Sequence, residues 1–417
     1  MREIAESVTR SAIESVLPER AVKEALAADP ICSDSPNGNV VLVAIGKAAW
    51  RMASAAHDLL GQRIARGCVI TKDGHSLGAI GKLEIFEAAH PVLEQRNLDA
   101  TRKALSMLTG LTERDTILFL VSGGGSALFE SPQEGVSLAD IADMTSQLLA
   151  CGADIVEINT LRKRISSVKG GRFAMACMPA SVRCVILSDV PGDRLDSIAS
   201  GPACPDLSTC EDALEIVRRY RLNLPKNVMD RLGVETPKAL DNVRTQITGS
   251  GPVLCESARS LLSGKGFDAA LLTTTLDCEA ASAGAFFAAL AREAVRNRAA
   301  RSRPLAFIAG GETVVHLRGK GKGGRCQEMA LAAALGMREL EGVVFVAAGS
   351  DGTDGPTDAA GGIVDGQTVR RMKDRGIKAQ EMLDDNDAYH ALSASGDLLV
   401  TGPTGTNVND LAVLLVE

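Results

Sequence analysis

Gly46-Lys47, within Ala44-Ile-Gly-Lys-Ala-Ala49, is the first point at which chemistry can be read from the chain. The glycine permits a sharp turn. A cation at a helix start is electrostatically unfavourable by itself, so Lys47 there suits a site for an anion, with a solvated surface lysine as the competing reading. Ser122-Gly123-Gly124-Gly125-Ser126 is a second candidate: three residues without Cβ let backbone N–H groups approach a carboxylate or phosphate, and the serines add hydroxyl donors. Leu161-Arg-Lys-Arg164 with Lys169-Gly-Gly-Arg172 forms a cationic cluster that is either a phosphate clamp or a solvated helix face. Asp189, in Leu187-Ser-Asp-Val-Pro-Gly-Asp193, follows an apolar run at a position suited to a magnesium ligand or a general base. Pro191-Gly192 is accounted for by a turn.

Two further candidates lie in the second half. Gly310-Gly-Glu312 precedes Gly319-Lys-Gly-Lys-Gly-Gly-Arg325, in which Gly319, Gly321 and Gly324 match the dinucleotide pattern G-x-G-x-x-G. Lys320, Lys322 and Arg325 supply more cation than a pyrophosphate cradle needs, and a triphosphate or a phosphoryl group in transfer accounts for that excess better. Asp351, Asp354 and Asp358 follow another apolar run in a glycine-rich stretch. Their spacing is not that of an EF-hand, and they suggest a metal–phosphate site or contacts to substrate hydroxyls. No G-x-x-x-x-G-K-[ST] occurs, and five scattered histidines make zinc a poor fit.

The elements that must position these loops alternate. Apolar runs at Val40–Ile45, Gly67–Thr71, Glu84–Ala89, Asp115–Val121 and Arg183–Leu187 read as strands. Helical patterns occupy Lys47–Leu60, Leu98–Leu108, Leu138–Ala150 and Ile155–Val168. Such alternation predicts a largely parallel sheet covered by helices, with ligands at the carboxyl ends of the strands. The pattern loses strands between Tyr220 and Pro252, which sets a domain boundary near residue 240, giving 1–240 and 241–417. Alternation then resumes: strands at Ala270–Thr275, Leu305–Ala309, Thr313–Leu317, Val343–Ala348 and Leu411–Val416, helices at Glu256–Ser263, Glu279–Arg298 and Gln327–Leu335. Residues 1–26 read as one amphipathic helix on Ile4, Val8, Ile13, Val16 and Leu17.

A chain of 417 residues is too long for one core. Aromatic residues at 3% and a net charge of −7 argue against stacking on single strands and against a general DNA-binding surface. The ten cysteines show no C-x-x-C pair and several, including Cys68, Cys184 and Cys255, lie in apolar runs, as reduced core thiols of a cytoplasmic protein do. The N-terminus has no apolar signal region and no run spans a membrane.

Taken together, the loops resemble those of the type II glycerate kinases, the family whose C-terminal half is called the MOFRL domain. The resemblance is carried by AIGKAA at 44–49, AAHPVLEQRN at 88–97, LVSGGGSALFESP at 120–132, INTLRKRISSVKGGR at 158–172 and LSDVPGD at 187–193. It continues in GGETVV at 310–315, GGRCQEMAL at 323–331 and AAGSDGTDGPTDAAGG at 347–362. One departure is Ala89-His-Pro-Val-Leu-Glu94, where the family reads G-H-P-x-P-D. The resemblance implies a Rossmann-like parallel-sheet domain followed by a smaller α/β domain, with the active site in the cleft between. It further implies transfer of the ATP γ-phosphoryl group to the 2-hydroxyl of D-glycerate, with Mg2+. Carried over, Lys47 and Arg325 stabilise the transferring group, and Gly46, Ser122–Ser126, Gly323 and Gly324 hold glycerate carboxylate or phosphate. Asp189 is metal ligand or base, with Asp351 and Glu312 as competitors. Family members are also labelled hydroxypyruvate reductases, so an NAD(P)H-dependent reductase is the alternative, favoured only by the 319–324 match. A non-catalytic sensor of an anionic metabolite is a third reading. Glycerate and ATP are the expected partners, without nucleic acid or membrane, and a homo-oligomer is left open.

Overall fold

In the computed structural model, which describes residues 1–31, 38–300 and 302–417, the chain forms two units. The first is Pro18–Thr248; the second joins Met1–Leu17 to Gly249–Glu417. The N-terminal pattern read as one helix is two, Arg2–Glu14 and Pro18–Ala28. The break falls where Pro18 disfavours helical geometry in the residue before it, and it coincides with the division between units. Helix Arg2–Glu14 packs on helix Gly251–Gly264, and Arg2 ion-pairs with Asp365 and Asp397 at 2.7 Å.

The first unit is built on β1 (Val40–Ile45), β2 (Ile64–Lys72), β3 (Glu84–Ala88), β4 (Thr116–Val121), β5 (Ser181–Leu187) and β6 (Val243–Gly249), in the order β3-β2-β1-β4-β5-β6. Strands β1 to β5 pair in parallel. β1 and β4 are buried at every position, as a strand covered on both faces must be. The order reverses between β1 and β4, the topological switch point where open α/β sheets bind ligands. β6 and the helices Cys210–Tyr220 and Lys226–Leu232 lie in or beside the stretch where sequence showed no pattern. β6 is a half-exposed edge strand rich in polar residues, so it lacks the apolar run that marked the others.

The second unit holds β7 (Asp268–Leu276), β8 (Leu305–Gly311), β9 (Val343–Gly349), β10 (Gly361–Asp365), β11 (Leu398–Leu399) and β12 (Asp410–Val416), ordered β11-β10-β9-β12-β8-β7. Only β7 and β8 are parallel; the other pairs are antiparallel. The strand expected at Thr313–Leu317 does not form. Val314 makes one bridge, to Glu279, and Val314 and Leu317 are exposed, so the alternating apolar residues have no sheet to face. Helices Ala280–Arg296 and Arg325–Gly336 cover this sheet and approach each other closely at Gly284. A Cβ there would lie 2.3 Å from the Met329 carbonyl oxygen.

The start of helix Arg325–Gly336 is held by Asp354, whose carboxylate accepts from the N–H groups of Cys326 and Gln327 at 3.2 and 2.8 Å. These are orphan donors of a first turn. Burial nonetheless penalises the charge and pushes the Asp354 pKa from 3.8 to about 7, despite those bonds. Among the described residues the cysteines form no disulfide, and burial pushes the Cys68, Cys184 and Cys255 thiols up to about 12.

Gly284→Ala is expected to lower stability by about 1–3 kcal/mol in urea unfolding, against the gain of about 1 kcal/mol that helix propensity alone would give; a gain would remove the close-contact account. For Asp354, the folded pKa lies above the unfolded one, so its stabilising contribution is complete below the ordinary 3.8 and is lost as pH rises through about 7. Wild type should therefore lose stability relative to Asp354→Asn as pH rises from about 4 to about 7, and change little above about 8. A difference independent of pH would contradict this.

Candidate active site

At the end of β1 the backbone turns at Gly46, whose φ of 111° favours glycine. The helix expected from Lys47 begins only at Ala49. The intervening amides are occupied: Lys47 N–H donates to the Gly123 carbonyl at 2.9 Å and Ala48 N–H to Ser122 Oγ at 3.0 Å. Lys47 therefore sits in a turn clamped to the next strand's loop, rather than at a helix start with N–H groups directed at a ligand. Ser122 is 1% exposed and its hydroxyl lies 3.2 Å from the Ile45 carbonyl, to which it donates. Its group joins the two turns, whereas sequence suggested a donor for the ligand.

Gly123, Gly124 and Gly125 follow and form the floor of a cavity of about 510 Å3. A Cβ on Gly123 would meet Asp189 Oδ2 at 2.1 Å, and one on Gly124 would stand 3.1 Å from the His90 ring and 3.3 Å from Lys47 Cγ. Asp189, His90 and Lys47 thus gather over glycines that leave them room. Burial, then the positive charge of Lys47, Lys72 and His75, lowers the His90 pKa from 6.5 and keeps the ring neutral near pH 7.

The cationic cluster divides by burial. Arg162 lines the cavity; one of its amino groups donates to the Ser126 carbonyl at 3.3 Å. Its Nε is buried and has no hydrogen-bond partner among the described residues. The others turn inward. Lys163 reaches Asp196 and Asp206, Arg164 bonds Thr160 and Ser208, and Arg172 donates to the Lys163 carbonyl. Lys169 is fully buried and donates to the carbonyls of Ser126 at 2.7 Å and Phe129 at 3.1 Å. Burial lowers its pKa to about 8, although Glu130 opposes this. Lys169 is a prop beneath the loop, where sequence offered it as a phosphate clamp. Ala199 and Ser200, with φ of 50° and 61°, pack under the same loop; non-glycine residues in this region carry strain of the kind that collects at functional sites. The sequence marks Ser197–Pro202 beside the Asp189 segment but gives neither residue a role, and it does not separate Arg162 from its neighbours.

In the second unit the pairs Asp410–Gly311 and Asp410–Gly349 bring the ends of β8, β9 and β12 together. Arg325 lays its guanidinium on Asp410, Nε to Oδ2 at 2.5 Å and a terminal nitrogen to Oδ1 at 3.0 Å, and reaches Glu312 at 2.8 Å. Burial disfavours its charge, but the fork on Asp410 outweighs it and raises the Arg325 pKa. Asp351 caps the Thr353 N–H at 3.0 Å, and a Cβ on Gly349 would lie 3.2 Å from its Oδ1. Asp410 was not identified from sequence; its signal was an acid opening an apolar strand after a polar turn. Asp354, grouped with Asp351 and Asp358 by spacing, faces inward as the helix cap already described.

The first four residues of the G-x-G-x-x-G loop do not offer their amides. Gly319 donates to Asn386, Lys320 and Gly321 to Asp385, and Lys322 to Asp387, while Lys322 Nζ stands 4.4 Å over the Tyr389 ring. Gly323 and Gly324 lie at the foot of helix Arg325–Gly336, with Gly324 against Asp354. A pyrophosphate cradle needs free N–H groups, and these four amides are bonded within the protein, which weakens the one feature favouring a dinucleotide.

Family models match on both units: a domain of unknown function, DUF4147, over residues 4–233, and the MOFRL family over 305–410. The D-glycerate 2-kinase of Thermotoga maritima is 51% identical over 419 residues, 100% of this chain and 98% of that one. The glycerate 2-kinase of Pyrococcus horikoshii is 39% identical over 433 residues, 100% of this chain and 97% of that one. An Agrobacterium vitis relative, 36% identical, carries a hydroxypyruvate reductase name. A crystal structure of a glycerate kinase from Thermotoga maritima superposes with a TM-score of 0.95 at 51% identity, covering 100% of this chain and 99% of the other. Likeness of this extent, in sequence along the whole length and in fold, makes the chain a member of the glycerate kinase family of enzymes.

Proposed function

We propose that this chain transfers the γ-phosphoryl group of ATP to the 2-hydroxyl of D-glycerate, giving 2-phosphoglycerate and ADP, in the cytoplasm. The observation that carries the reading is the gathering of Asp189, Arg162 and Gly123–Gly125 around one cavity at the strand switch point, with the Lys47 side chain beside Gly124. Phosphoryl transfer is governed by positioning and charge neutralisation rather than by covalent chemistry of the protein. Lys47 neutralises charge on the transferring group. Arg162, on the cavity wall, sets a guanidinium charge beside an anionic ligand. Asp189 accepts the proton of the attacking hydroxyl or ligates the metal. In the second unit, Arg325 is the candidate for neutralising phosphate charge, with its plane fixed by Asp410. Glu312 and Asp351 are the alternative acids there.

Magnesium fits a site of this composition. Among the described residues no three His, Cys, Asp or Glu converge, and Mg2+ is commonly held by one or two carboxylates with substrate phosphates and water completing its shell. Asp189 is the carboxylate of the first unit that would hold it. When bound, the ion would neutralise charge on the phosphate oxygens.

Purified protein with D-glycerate and MgATP should form ADP only when glycerate is present, and phosphorus NMR should show the 2-phosphate; parallel mixtures of hydroxypyruvate with NADH or NADPH should stay unreacted. Cofactor consumption without ADP formation would replace the kinase reading with the reductase. Lys47→Ala is expected to lower kcat by about 10^2–10^3-fold, the size typical of losing one charge-stabilising donor, without a shift in thermal unfolding; near-normal turnover would remove Lys47 from the site. Arg325→Ala should abolish turnover and also cost about 3–5 kcal/mol, because Asp410 is left buried without its partner. Unchanged stability in calorimetry would contradict that pairing.

A further inference from the structure

The cavity over Gly123–Gly125 has two chemically distinct halves. One is polar and carries the glycine floor, Asp189 and Arg162. The other is a stripe along helix Leu138–Ala150, which starts at a capping box between Ser137 and Asp140. Leu138, Ala142, Thr145, Ser146 and Leu149 line the cavity from this helix, and their three- and four-residue spacing puts them on one face. Met144 and Leu148 of the same helix go to its own apolar core. Leu149 is 64% exposed and Val92, also on the cavity wall, 69%. Apolar surface is thus left open beside a binding floor built for anions.

D-glycerate has three carbons, each bearing oxygen. It gains little from an apolar wall, and a cavity of about 510 Å3 is of the size that holds drug-sized ligands, about 300–1,000 Å3. We propose that the Leu138–Leu149 stripe receives the base and ribose of the nucleotide, whose phosphate chain runs back to the glycine floor, Lys47 and Arg162. The inference rests on the kinase reading above and deepens it by assigning the donor's base a wall. A nucleotide matches both halves at once: a flat, weakly polar base at one end and an anionic chain at the other. Thr145 and Ser146 are the side-chain hydroxyls on the stripe, so the base is held mainly by burial of its faces.

The test uses the full chain. Ala142 is exposed, so Ala142→Trp fills the stripe without disturbing the core, and Leu149→Asp places a charge on it. Titration calorimetry with ADP and magnesium should show Kd raised about ten-fold or more in Ala142→Trp and about three-fold or more in Leu149→Asp. KM for ATP should rise in parallel, while KM for D-glycerate stays within about two-fold. Circular dichroism and unfolding midpoints should match wild type. Unchanged ADP and ATP constants in both variants would overturn the assignment, as would a raised glycerate KM with normal ATP constants, which would give the stripe to the acid. Should wild type show no glycerate-dependent ADP formation, the kinase reading fails by itself; ADP calorimetry on the two variants still decides whether the stripe holds a nucleotide.

Discussion

One buried hydroxyl holds the first unit's site together. Ser122 Oγ takes the Ala48 N–H and donates to the Ile45 carbonyl, tying the turn after β1 to the turn after β4. A Cβ on Gly46 would stand 2.3 Å from that oxygen, so the glycine is the condition for the contact. Each bond contributes only about 1 kcal/mol net, but leaving a buried polar group unmade costs more than that. The tie therefore fixes geometry more than it adds stability. Lys47 inherits its position from one side of it and Gly123 from the other.

Beneath that tie the loop rests on Lys169, and above it the side chains are sorted by what they can reach. Of four cations in the segment from Leu161 to Lys169, one, Arg162, faces the cavity. The rest satisfy carbonyls and carboxylates inside the unit. The second unit handles its arginine differently. Arg325 is pre-oriented by a two-point contact with a buried acid, which removes rotational freedom before any ligand arrives.

What sequence could supply follows from what it encodes locally. β1, β4, β5, β8, β9 and β12 were legible because buried strands read as unbroken apolar runs, and the switch-point loops because glycine clusters after such runs are conspicuous. β6 and β10 were not legible: one is a polar edge strand, the other five residues opening on two glycines. Spacing also grouped Asp351, Asp354 and Asp358 as equivalents. Only three-dimensional packing separates a buried helix cap from acids near the surface. Asp410 escaped because its partner lies 85 residues away in sequence. Arg162 escaped because charge density gives no information about which way a side chain turns.

The helix Arg2–Glu14 has its packing partners after Gly249, with all of Pro18–Thr248 between. During synthesis it leaves the ribosome well before the elements it packs on. Domains of a growing chain fold as units in order of emergence, so the Rossmann-like unit can complete itself while this amphipathic helix still lacks the surface that covers its apolar face. The second unit closes only when segments from either side of the first unit meet, so its folding waits on chain made after Thr248.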